Sequence, residues 1–153
     1  MKTFRTTLFI LILTSIFIGC NESDTQNNSE QKNKICPQCY MPIGTEKLHT
    51  ANIDKDGDFT HFDDIGCMIL YTHNKKINLK KAKINTFTSD TKRFINPFQA
   101  YYKINEITPM MYGFSAYENK TDETMINFNE VTIKMLRGEH MANPKIRKQL
   151  LGY

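Results

Sequence analysis

A predominantly apolar run, "TLFILILTSIFI" (7–18), stops abruptly at Gly19-Cys20 and limits what this chain can fold into. Behind it comes "NESDTQNNSEQKNK" (21–34), which contains no apolar side chain. A segment with nothing to bury cannot offset the entropy of ordering its backbone, so it reads as a flexible tether. Folded structure is therefore expected to begin near Ile35, which leaves 119 of the 153 residues, enough for one domain. The apolar run itself is 12 residues long, too short to cross a bilayer comfortably, and Lys2 and Arg5 precede it. That is the layout of a secretory signal. "FIGC" (17–20) resembles a lipobox, in which residues 1–19 are removed and Cys20 is acylated as the first mature residue. The expectation is a bacterial cell-envelope lipoprotein that faces the periplasm and is anchored by more than one acyl chain.

Charge narrows the function. The chain carries +4, of which Lys2 and Arg5 supply two, so the mature part holds +2. This is too weak and too scattered for nucleic-acid binding. The densest basic run, "NKKINLKKAK" (74–83), reads as a solvated loop and helix end.

Turn and cap signals divide residues 35–153 into an α+β pattern. "CPQCYMPIG" is expected to be extended, because Pro37 and Pro42 exclude a helix interior. "LHTANI" alternates as a strand, "DKDGD" (54–58) centres a turn on Asp-Gly, and "FTHF" continues extended. "DDIGCMILYTHN" reads as a helix capped by Asp63 or Asp64, and "KINTFTSD" as a strand. In the second half, "AYYKIN" and "GFSAYE" read as strands, "DETMINFNE" as a short helix capped by Asp122, and "VTIKML" as a strand. Two similar ββαβ units are thus expected, about 35–90 and 91–137, followed by a C-terminal tail with a helix of its own.

Four cysteines are present. With Cys20 given to lipid, Cys36, Cys39 and Cys67 remain, an odd number outside the cytoplasm. That suggests a free thiol or a metal thiolate. "CPQCYM" (36–41) is open to three readings. A thiol–disulfide oxidoreductase would use Cys36 and Cys39, but such pairs sit at helix N-termini, and Pro42 blocks a helix here. Structural zinc wants four ligands, and no second pair or clustered His is visible among His49, His61, His73 and His140. Monovalent copper accepts fewer ligands and favours thiolate and thioether. In an extended segment Cys39 and Met41 share a face, about 6 to 7 Å apart at their roots. Met110 or Met111, in the loop "TPMMYG" (108–113), offers a further thioether. Against this, methionines commonly fill cores, and Cys67, on a helix beside Ile65, Met68 and Ile69, reads first as a small buried residue. His61 reads as exposed or structural, and His73 and His140 as surface residues. No nucleophile triad, phosphate loop or paired carboxylate site stands out.

A lipobox Cys, a polar tether, "CPQCYMPI", a His eight residues beyond the Met, "FDDIGCM" (62–68) and "TPMMYGFSAY" together resemble the NosL family of nitrous oxide reductase accessory copper lipoproteins. The resemblance covers 36–135 most clearly. It implies a fold of two ββαβ units and a non-enzymatic Cu(I) chaperone. Such a protein delivers copper for maturation of nitrous oxide reductase, or of another copper enzyme, beside a periplasmic assembly protein and an ABC transporter. The family's CxxCxM motif falls on Cys36, Cys39 and Met41, its His on His49, and its later Met-Gly-x-Gly on Met110, Met111, Tyr112 and Gly113. Cys39 is then expected as the main ligand, Met41 and Met110 as thioethers, and Cys36 and His49 as secondary ligands. Met111 and Cys67 stand further back. Two departures matter: Tyr40 and Met111 occupy places where the family carries glycine. Two other readings are kept, the oxidoreductase above and a lipoprotein that only scaffolds a maturation complex.

Overall fold

The computed structural model describes residues 34–152; the expected signal (1–19), the expected lipidation site Cys20 and all of the expected tether except Lys34 lie outside the described residues. The class is α+β, built on two antiparallel sheets. Strands β1 (Ala51–Lys55) and β2 (Asp58–Phe62) form a hairpin in which Lys55 faces Asp58, so the loop is only Asp56-Gly57. Both loop residues have positive φ, 55° and 94°, the mirror-image turn that matches strand twist and that Asp-Gly favours. Helix α1 (Ile65–Asn74) follows, capped by Asp64. Strand β3 (Lys83–Phe87) then returns to the free side of β1, and β4 (Phe94–Ile95) extends the sheet to the order β2-β1-β3-β4.

After a 3-10 turn at Pro97–Gln99, β5 (Tyr101–Lys103), β6 (Ser115–Tyr117) and β7 (Ile126–Asn127) make the second sheet, in the order β6-β5-β7. Helix α2 (Phe128–Arg137) and the terminal α3 (Pro144–Leu151) complete the described chain. Both sheets put their first strand in the centre. The helices are placed differently. The first half runs β-β-α-β as expected, but the second runs β-β-β-α.

That difference has a local cause. "VTIKML" is helical, not a strand, because strong caps bracket it. The Asn127 side chain accepts from the Glu130 N–H, the Glu130 carboxylate accepts from the Asn127 N–H, and Gly138 closes the helix at φ 72°. Phe128, Val131 and Met135 then bury one face, while Ile133 and Leu136 stay exposed. Of "DETMINFNE", Phe128–Glu130 open α2, but Asp122–Met125 do not form a helix. The Asp122 side chain accepts from the Thr124 N–H in a tight turn, and the chain goes directly into β7.

One apolar cluster joins the halves. Phe62, Ile65, Met68 and Ile69 from the first pack with Tyr102, Phe128, Val131 and Met135 from the second. Helices α1 and α2 touch across it. Among the described residues, no helix is long and apolar enough to cross a membrane.

Candidate metal centre

The first loop is a tight turn rather than an extended run. The Cys36 N–H donates to the Met41 carbonyl (3.0 Å), the Tyr40 N–H to the Cys36 carbonyl (2.8 Å), and the Ile43 N–H to the Lys34 carbonyl (2.8 Å). Pro37 suits the turn because its fixed φ and missing N–H cost nothing at its start. Tyr40 must then take φ 61°, left-handed backbone that a non-glycine residue adopts at a cost. As a result the turn brings Cys36 and Cys39 together. Met41 is about half exposed.

The third sulfur comes from α1. The Asp64 Oδ1 accepts from the Gly66 N–H at 2.9 Å, which fixes the start of the helix and places Cys67 in its first turn. The sulfurs of Cys36, Cys39 and Cys67 all lie within 4.8 Å of one another. Cys36 and Cys67 are fully buried and Cys39 partly so, and all three are free thiols. Among the described residues no histidine or carboxylate joins them. Core burial and clustering are therefore both true of Cys67. The signal that could have found it was the odd cysteine count, with the third cysteine opening a capped helix.

The three thiols are unequal. The Cys67 thiol donates to Cys36 and draws its pKa down to about 5, with help from the backbone N–H groups of Asp63, Cys39 and Gln38. The same hydrogen bond, together with burial, pushes Cys67 far up. Burial also raises Cys39. Cys36 is thus the readiest of the three to ionise, and Cys67 the least.

The loop Thr108–Gly113 lies against the same helix start. The Met110 N–H donates to Asp64 Oδ2 at 3.4 Å, and the Gly113 N–H donates to Thr108 Oγ1 at 3.2 Å. The Tyr112 ring covers Gly66, where a Cβ would stand 2.3 Å from Tyr112 Cδ2. Met110 packs against the core from this loop, and Met111 takes φ 54°. Burial pushes the Tyr112 hydroxyl up to about 12. Asp64 is completely buried, and burial raises it to about 6 despite donation from Thr108, Gly66 and Met110.

The remaining histidines lie elsewhere. His49, at φ 67°, is 3.4 Å from the Ser115 hydroxyl and is not among the sulfurs. His61 Nε2 pairs with Lys34 Nζ at 2.9 Å. His73 is exposed. His140 is half-buried against Tyr112 with its Nδ1 unpartnered, not a surface residue.

Set beside protein-family models, curated proteins and solved structures, the chain matches none of them.

Proposed function

We propose that the protein is a Cu(I) chaperone of the NosL type. It is anchored in the cell envelope through Cys20 and passes copper to the machinery that matures nitrous oxide reductase or a similar copper enzyme. The observation that carries this reading is the group of three sulfurs within 4.8 Å. The donors are all soft, and three thiolates suit Cu(I), whereas a closed zinc site wants a fourth ligand. Cys36, Cys39 and Cys67 hold the ion. Met110, on the loop docked at the start of α1, is the candidate thioether. Met41 and His49 serve as ligands during exchange rather than at rest.

The two departures from the family pattern also support it. The family has glycine where this chain has Tyr40 and Met111, and those two positions have φ 61° and 54°. Glycine is the residue that left-handed backbone favours, so the backbone retains the form that the family's glycines would suit.

Delivery proceeds by ligand exchange. Cys39 is the one partly exposed sulfur of the three, so an incoming donor displaces it first. The ion then leaves Cys36 and Cys67 in turn, without being released to water. Loading has a proton signature. Ligating thiols must be deprotonated, while burial favours the protonated form of Cys39 and the hydrogen bond to Cys36 that of Cys67. The test is an anaerobic Cu(I) titration against a chromophoric competitor in weak buffer with a pH indicator. The expected result is one tightly held Cu(I) and two protons released. Absence of Cu(I) binding, with thiols that instead cycle reversibly at a potential typical of periplasmic oxidoreductases, would replace the chaperone with the redox reading.

A further inference from the structure

We infer that the face around Cys39 is a docking surface for a partner protein whose contact face is apolar at its centre and acidic at its rim. The inference rests on the copper reading above. Cys36 and Cys67 are sealed at 0% exposure, so a transferring partner reaches the sulfurs only over Cys39. The surface there is unusual. Ile35, Tyr40, Met41 and Phe59 are 61%, 79%, 48% and 46% exposed, and they come from two chain segments brought side by side. Scattered exposed apolar residues are ordinary, but a contiguous group marks an interaction site.

Two shallow grooves meet at Pro37. One runs past Lys34, Ile35 and Phe59, the other past Tyr40, Tyr71 and Lys75. Each groove ends at a lysine, and neither has a carboxylate among its lining residues. The complementary occupant therefore brings acids to the rim and apolar or thioether side chains to the middle. A protein fits better than an anionic membrane. Lipid headgroups supply no soft ligand for Cu(I), and surface recognition of anionic lipid takes a cluster of about four to eight basic residues.

The probe is a fluorescent peptide with two methionines set between aspartates, compared with the same peptide carrying lysines for aspartates. Binding to the copper-free full chain in non-ionic detergent is read by fluorescence anisotropy. The aspartate peptide is expected to bind about tenfold tighter than the lysine peptide, with an advantage that fades as salt rises. Tyr40→Ser, and Lys34→Glu with Lys75→Glu, should each weaken it about fivefold or more, while Lys145→Glu with Lys148→Glu on α3 leaves it unchanged. Thermal melts confirm that the variants fold, and Tyr40→Ser keeps the test alive should the Lys34 variant lose its His61 contact and unfold. Equal binding of both peptides, or equal loss in the α3 pair, overturns the inference. So does binding to phosphatidylglycerol vesicles without binding to the peptide. A chain that binds Cu(I) but not the peptide defeats the docking surface alone. A chain that binds the peptide but no Cu(I) defeats the chaperone and leaves the surface standing.

Discussion

Loop 35–43 carries Cys36 and Cys39 to the start of α1, and loop 108–113 carries Met110 to the same place from the other half of the chain. The first is held by its own backbone, through three hydrogen bonds among residues 34–43. The second has the Thr108–Met111 turn and the Thr108–Gly113 contact within itself, but it is seated by α1, through Asp64 under Met110 and Gly66 under Tyr112. A self-supported loop keeps its thiols in place whether or not the rest of the site is assembled. A seated loop positions its methionine only while the two halves stay packed. On this reading the thiolates are the fixed part of the site and the thioether is the movable part.

Removing a ligand from each side sharpens that contrast most. Cys39→Ser takes away one of the two sulfurs that loop 35–43 holds. Its Cu(I) affinity should fall by more than about 100-fold, since loss of even an outer-shell partner costs 10–100-fold. Met110→Leu keeps the packing volume and should cost about tenfold or less. Competitive titration of the two variants checks the order. If Met110→Leu proves the more damaging, the fixed and movable roles are reversed.

Asp64 ties loop 108–113 to the start of α1, and its effect depends on pH. Its carboxyl has an ordinary value of 3.8 and is raised by burial to about 6 in the fold. The folded chain therefore binds that proton more tightly than the unfolded chain does. The associated stability is fully present below about pH 4 and is lost as pH rises through 6. Asp64→Asn keeps a capping oxygen and removes the titration. Between pH 4 and 7 the wild type should lose roughly 2–3 kcal/mol that the variant does not. Urea melts across that range measure it, and parallel curves would show that Asp64 does not titrate with folding.

Gly66→Ala unseats the second loop without touching the first. Alanine favours the helix by about 1 kcal/mol, but its methyl would meet Tyr112 Cδ2 at 2.3 Å, Tyr112 Cγ at 2.8 Å and Met135 Cε at 2.9 Å. Overpacking of this kind costs about 1–3 kcal/mol, so a net loss of about 1 kcal/mol is expected in a denaturant melt. Hydrogen exchange should quicken at Gly113, whose N–H is held by Thr108 within the same loop, and stay unchanged at Cys36 and Tyr40.

The same division explains what was legible in the sequence. The Asp56-Gly57 hairpin, the Asp64 cap and the central strands are local, and residues near in sequence declare them. The CPQC turn is also local, yet two prolines suggested an extended run, because their missing donors exclude a helix without specifying which loop replaces it. The β-branched residues of "VTIKML" pointed to a strand, and the caps at Asn127 and Gly138 outweighed them. Cys67 as a partner of Cys36 could not be read from spacing. Cys67 lies 28 positions beyond Cys39, and only the pairing of the CPQC turn against the start of α1 closes that gap.

The smallest expected effect tests the strain in both loops at once. Tyr40 and Met111 each hold left-handed backbone, at φ 61° and 54°, which costs a non-glycine residue about 1–2 kcal/mol. Glycine relieves that strain but adds freedom to the unfolded chain, so the net gain from Tyr40→Gly should be about 0.5 kcal/mol. At Met111→Gly the gain should be smaller still, because Met111 is partly buried and loses packing, whereas Tyr40 is 79% exposed and loses little. A stabilising Tyr40→Gly beside a neutral Met111→Gly in matched urea melts would fit a self-supported loop that carries its own strain and a seated loop that shares its strain with its neighbours. If Tyr40→Gly destabilises instead, the exposed ring is packed against something, and the first loop is not self-supported.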